Sequence, residues 1–99
     1  MPYEVVFPSE RAEREFEKTL GKLPADYQSA VVEKVRSLSL DPRPEGKRYK
    51  KLKGEVVIAQ FIAQYRLRIG PYRLLYDIDD ARKKVMLLKL VKRDERTYG

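Results

Sequence analysis

The sequence predicts an α+β domain: an N-terminal strand, then a two-helix hairpin packed on one face of a mainly antiparallel sheet of about four strands. Three observations predict it. Apolar residues recur at helical spacing between Ala12 and Leu38, and strand-length apolar runs follow from Val56 to Val91, punctuated by Gly70-Pro71 and Asp79-Asp80. The chain has 99 residues, enough for one small core, so a single domain spans 1–99. Helices grouped ahead of strands cover one face of a sheet and leave the other free, and that free face is where function is expected.

Taken in order, Tyr3-Glu4-Val5-Val6-Phe7 is a short β-favouring run closed by Pro8. Ser9 can cap a helix through its hydroxyl, with Glu10 and Glu13 set against the positive end of the dipole. Ala12, Phe16 and Leu20 then share a stripe, and Gly21 marks the stop. Pro24 suits the first turn of a second helix, whose stripe is Tyr27, Val31, Val35 and Leu38 and whose end precedes Asp41-Pro42. Arg48 to Gly54 is too charged for a core element and is expected as a loop or edge segment. Glu55 to Gln64 fits neither a clean period of two nor one of 3.6, and is expected as a strand running on into Tyr65. Tyr65 to Ile69 and Tyr72 to Tyr76, joined by Gly70-Pro71, form a β-hairpin, and Val85 to Val91 is an interior strand.

Composition excludes several kinds of chemistry. There is no cysteine and no histidine, so neither a disulfide framework, nor a Ser-His-Asp or Cys-His nucleophile, nor the common zinc ligand sets can be assembled. No glycine-rich phosphate loop is present, and no apolar run approaches the length that spans a bilayer. The start, Met1-Pro2-Tyr3-Glu4, lacks a basic region leading into an apolar stretch, so the cytoplasm is the expected compartment. Asp77, Asp79 and Asp80 read either as a carboxylate site or, more simply, as a solvated hairpin loop. No cofactor is expected.

The net charge is +7, and its excess lies between Arg43 and Arg73. Basic residues interleaved with tyrosines are the electrostatic footprint of a nucleic-acid binder, although acidic proteins and anionic membranes attract the same charge. Alternation sharpens this. Tyr65, Leu67 and Ile69 point one way and Arg66 and Arg68 the other, while Tyr72, Leu74 and Tyr76 oppose Arg73, Leu75 and Asp77. Two adjacent strands thus offer Arg66, Arg68 and Arg73 to one solvent-facing surface. If Val85, Leu87, Lys89, Val91 and Arg93 share a face, Lys89 and Arg93 join them. Such cations either bind an anion, for which RNA phosphate is suited, or pair with Glu55, Asp77, Asp94 and Glu95 as ordinary surface ion pairs.

Lys51-Leu52-Lys53-Gly54, then Tyr65-Arg66-Leu67-Arg68-Ile69-Gly70-Pro71-Tyr72-Arg73-Leu74-Leu75-Tyr76, then Lys92-Arg93 with Tyr98 near the end, resembles a RelE-type toxin of the RelE/ParE toxin-antitoxin superfamily over nearly the whole chain. The Tyr-Arg-Leu-Leu-Tyr strand is common to RelE-like ribonucleases and ParE-like gyrase inhibitors; the terminal basic residue and tyrosine favour RelE. The resemblance implies a RelE-like fold and a ribosome-dependent mRNA interferase, a metal-independent endoribonuclease cutting mRNA in the ribosomal A site. It implies that the 2′-hydroxyl attacks the adjacent phosphorus, a 2′,3′-cyclic phosphate forms and the 5′-oxygen leaves. Its catalytic positions fall on Arg66, Arg68, Arg73, Arg93 and Tyr98, and RNA-binding cations on Lys51, Lys53 and Lys89. Arg73 and Arg68 would stabilise the phosphorane, Tyr98 would stack on or position a base, and Arg93 would sit near the leaving oxygen.

Relatives often carry lysine where this chain has Arg66 and Arg68, and arginine stays protonated where lysine can be tuned toward a base. Electrostatics and 2′-hydroxyl positioning are therefore expected of both. The resemblance implies as partners a cognate antitoxin, the ribosome and mRNA, with operator DNA reached only through the antitoxin complex, and no membrane. A ParE-like DNA gyrase inhibitor without nuclease activity and a catalytically inactive RNA- or antitoxin-binding relative are the alternatives.

Overall fold

The computed structural model describes residues 2–46, 48–58 and 60–92, without the side chains of 53–55. In chain order the elements are β1 (Glu4–Val6), α1 (Glu10–Gly21), α2 (Ala25–Leu40), β2 (Tyr49–Ile58), β3 (Phe61–Ile69), β4 (Tyr72–Asp79) and β5 (Lys84–Lys92). The strands form a five-stranded sheet in the order β1-β5-β4-β3-β2, one strand more than the expected four. β1 runs parallel to β5, and the other pairings are antiparallel.

The helices begin and pack as their sequence dictates. The Ser9 hydroxyl accepts the Ala12 N–H at 3.1 Å, satisfying one of the donors that a helix start leaves open. Phe16 of the α1 stripe is buried and meets Phe7 edge-on, ring centroids 5.2 Å apart. Val31 and Leu38 of α2 are fully buried, with Tyr27, Ala30 and Val35 packed around them. From the sheet come Tyr65, Leu67, Ile69, Leu74, Tyr76, Val85, Leu87 and Leu90, so the apolar side of the central hairpin is the floor of the helix-side core. The end of α2 is stitched to the N-terminal segment by the Ser39 hydroxyl donating to the Tyr3 carbonyl at 2.7 Å and the Tyr3 N–H donating to the Ser39 carbonyl at 2.7 Å.

Gly70 makes the turn between β3 and β4. Its φ of +58° lies in the left-handed region, and a Cβ built there would overlap the Tyr27 ring, which itself packs edge-on against Tyr72 with centroids 5.4 Å apart. Turn and helix are therefore fitted to each other.

Two expectations change and one of two alternatives is settled. Glu55 to Gln64 is not one strand running into Tyr65: Val57 pairs with Ile62 and Ile58 with Phe61, so a second hairpin reverses there and its tip sits between Ile58 and Phe61. That reversal is why the segment's apolar residues obey no single period. Arg48 to Gly54 resolves in favour of the edge segment, since β2 forms an outer edge of the sheet and can keep its lysines in water. On the face away from the helices, Ala63, Leu75 and Leu88 are buried with Leu52, Val56, Ile58, Phe61 and Met86 packed against them, so part of the expected free face is a second small core.

Candidate functional site

The remainder of that face is a lattice of cations fixed by strand register. Arg68 lies directly opposite Arg73, and Arg73 opposite Val91. Two residues further along, Lys50, Arg66, Leu75 and Lys89 form a row across β2, β3, β4 and β5. Neighbouring strands are about 4.8 Å apart and the rows about 7 Å, so the two rows make a patch a short oligonucleotide can cover.

A β-bulge brings Lys89 into it. The partners in β5 jump from Leu87, opposite Tyr76, to Lys89, opposite Leu75, which leaves Leu88 as an extra residue. Val85 and Leu87 consequently face the helix-side core, while Lys89 and Val91 face the arginines. The expectation that Val85, Leu87, Lys89 and Val91 share one face is thus corrected, although Lys89 reaches the expected place. Lys51 does not: it pairs with Tyr65, whose side chain is in the helix-side core, so register turns Lys51 away from Arg66 and offers Lys50 instead. Lys50 was missed because its row is visible only once residues 49–51 are a strand. Arg93 and Tyr98, and the side chain of Lys53, lie outside what the structure describes.

The arginines are less exposed than alternation predicts. Arg66 is only 7% exposed, and its Nη1 donates to the Arg48 carbonyl at 3.2 Å; the Arg68 backbone N–H donates to the same oxygen at 2.8 Å. Arg68 is half-buried and its Nε is enclosed without an acceptor among the described residues. A buried donor left unmade costs on the order of 1–3 kcal/mol, and a like charge directly across the strand pair adds repulsion.

Other charged groups sort away from this patch. Arg43 forms a 2.8 Å ion pair with Asp80 and donates to the Tyr65 hydroxyl at 3.2 Å, so it belongs to a clasp rather than to the cationic face. Tyr3 donates to Asp80 at 2.6 Å, and Tyr76 donates to the Pro42 carbonyl at 2.9 Å, completing the clasp that holds the segment after α2 over the stacked Tyr49, Tyr65 and Tyr76. The hydrogen bonds from Arg43 and Tyr3 hold the Asp80 carboxyl down to about 2, and burial pushes the Tyr76 phenol up. Asp77 is not a loop residue but part of β4, opposite Met86. Burial pushes its carboxyl up, and its enclosed Oδ1 has no hydrogen-bond partner among the described residues. Among the described residues, no group of carboxylates could hold a metal, and no helix is long and apolar enough to cross a membrane.

The model of the ParE toxin of the type II toxin-antitoxin system parDE matches residues 6–97. The chain belongs to that toxin family. Within the wider RelE/ParE superfamily its fold is that of solved RelE toxins. It is 28% identical to the RelE chain of the archaeal RelE-RelB complex from Pyrococcus horikoshii, with a TM-score of 0.73 over 96% of this chain and 99% of that one. It is 34% identical to a chain of the RelBE2 toxin-antitoxin complex of Mycobacterium tuberculosis, with a TM-score of 0.64 over 94% of this chain and 100% of that one. A double-arginine mutant of Escherichia coli RelE in the free state is 26% identical, with a TM-score of 0.60 over 97% and 88% of the two chains. No curated protein sequence matches it. The two-helix layer on a mixed sheet is therefore the RelE/ParE arrangement, and the chain is a toxin of a toxin-antitoxin system.

Proposed function

We propose that this toxin is a ribosome-dependent mRNA interferase whose RNA-binding surface is the cationic face of β3, β4 and β5. The observation that supports it most is Arg68 directly opposite Arg73, with the Arg68 Nε enclosed and without an acceptor among the described residues. The scissile phosphate sits between these two side chains. The 2′-hydroxyl loses its proton to water as its oxygen bonds to phosphorus, the bond from phosphorus to the 5′-oxygen breaks, and the 5′-oxygen takes up a proton from water, leaving a 2′,3′-cyclic phosphate and a 5′-hydroxyl. Arg68 and Arg73 stabilise the extra negative charge of the phosphorane, which preorganised donors do best where water is partly excluded. Arg66, tethered to the Arg48 carbonyl, holds the ribose side, and Lys50 and Lys89 hold flanking phosphates. Lys53, on the edge strand, is a further RNA contact. Arg93 sits near the leaving oxygen and stabilises its developing charge, and Tyr98 positions a base. With arginine in place of a tunable lysine, 2′-hydroxyl positioning and charge stabilisation carry the rate.

RelE neighbours solved with RelB support a cognate antitoxin as partner, and an acidic or amphipathic segment complements a +7 chain. The ribosome and mRNA in the cytoplasm complete the reading, with operator DNA bound only through the antitoxin complex. The ParE description of the matched family model favours a second reading, inhibition of DNA gyrase without cleavage of RNA. Cleavage-site mapping on mRNA in a translating extract, with and without ribosomes, separates them. Cuts that need ribosomes and disappear in Arg73→Ala support the interferase; intact mRNA with DNA breaks and lost supercoiling overturns it.

A further inference from the structure

A cleft of about 500 Å³ opens beside the cationic rows, between the first turns of α1 and the tip of the β2–β3 hairpin. Its apolar floor is Phe61, Ile58 and the bulge residue Leu88, and its rim carries Arg11, Lys89 and Glu15. The volume is within the range of small-molecule sites. Lys89 belongs to both features: it lines the cleft and stands in the row that continues through Leu75 to Arg66. A strand whose backbone follows that row passes the mouth of the cleft within reach of a neighbouring nucleotide.

We infer that this cleft is a nucleobase pocket for a nucleotide flanking the scissile bond, an assignment that rests on the reading of the cationic face as an RNA site. The base stacks on Phe61, its phosphate lies against Lys89 with Arg11 nearby, and the Glu15 carboxylate accepts from an exocyclic amine. Stacking is indifferent to sequence because every base has a π face. Glu15 is what selects, since a carboxylate accepts from the exocyclic amino group of cytosine or adenine and is repelled by the O4 acceptor that uracil carries in the same place. The β-bulge at Leu88 therefore supports base recognition as well as phosphate binding.

The test uses the full chain and a short single-stranded RNA in which an abasic nucleotide, cytosine or uracil is placed at each position in turn, with affinity read by fluorescence anisotropy. At one position the abasic change weakens wild-type binding by about five- to a hundredfold, the range of one stacked base. In Phe61→Leu, which keeps apolar bulk against Ala63, Leu75 and Leu88, that penalty falls below about twofold. Glu15→Gln lies on the exposed surface of α1, so the fold survives it, and it erases the preference for cytosine over uracil at the same position. Arg73→Ala weakens all of these RNAs alike and reports on the cationic rows alone. RNA binding that depends on Arg73 but shows no position where Phe61 matters overturns the pocket and leaves the cationic site standing. Absence of RNA binding by the wild type overturns the RNA reading itself, and the pocket with it.

Discussion

Gly70→Ala should unfold the domain well below its normal melting temperature, because two separate penalties meet at this position. The left-handed φ of +58° costs an alanine roughly 1–2 kcal/mol. The new Cβ would also overlap the Tyr27 ring, with ring atoms Cδ1 and Cζ only 3.1 Å away, and overpacking of this kind costs roughly 1–3 kcal/mol. Tyr27 cannot simply turn aside, since its ring packs on Tyr72 and its helix on the core. The sum is centred near 3.5 kcal/mol, which for a domain of this size lowers Tm by about 14–28 °C. Urea and thermal denaturation followed by circular dichroism measure it. The two terms separate in a Tyr27→Ala background, where only the backbone penalty of roughly 1–2 kcal/mol should remain. A cost below about 1 kcal/mol in the wild-type background, or an equal cost in both, refutes the reasoning. Because this turn sets Arg68 opposite Arg73, RNA affinity should fall with the fold.

Arg68→Leu removes a buried donor without an acceptor and one of two opposed like charges, so stability should rise by about 1 kcal/mol while RNA cleavage is lost; a destabilised variant in urea would mean that the Nε is satisfied. Arg68→Lys should give cleavage a pH dependence that the wild type lacks, because lysine can lose its proton where arginine cannot, and identical pH–rate profiles would remove the electrostatic account of this residue. Asp77 has a carboxyl raised by burial, so its stabilising effect is complete below the ordinary carboxylate range and is lost as pH rises through its folded-state value. Asp77→Asn should accordingly raise the urea midpoint at pH 7, with the difference closing toward pH 3. Asp80 behaves oppositely: its carboxyl is lowered from 3.8 to about 2, so its contribution is present above the ordinary value and fades as pH falls through about 2. Asp80→Asn should lower the midpoint at pH 7 and converge with wild type in strong acid.

Both helices, the hairpin at Gly70-Pro71, the β5 strand and the separation of Tyr65, Leu67 and Ile69 from Arg66 and Arg68 were legible in the sequence. They rest on periodicity and capping, which depend only on neighbours along the chain, and Ser9, Phe16, Val31 and Leu38 behave as their spacing implies. The family was legible for the same reason, since its motif is concentrated in one continuous stretch. Register decided the rest. A one-residue slip moves every side chain of a strand to the other face, and nothing local to Val85–Val91 announces the extra residue at Leu88. Nor does anything local show that Arg43 is held by Asp80, that Lys50 rather than Lys51 joins Arg66, or that the hairpin reverses between Ile58 and Phe61. The sequence by itself determined which residue types are available for chemistry, excluding histidine and cysteine and leaving arginine. Only the tertiary structure decided which arginines meet, how deeply they are buried and which are already paired, because those properties depend on partners far away in the chain.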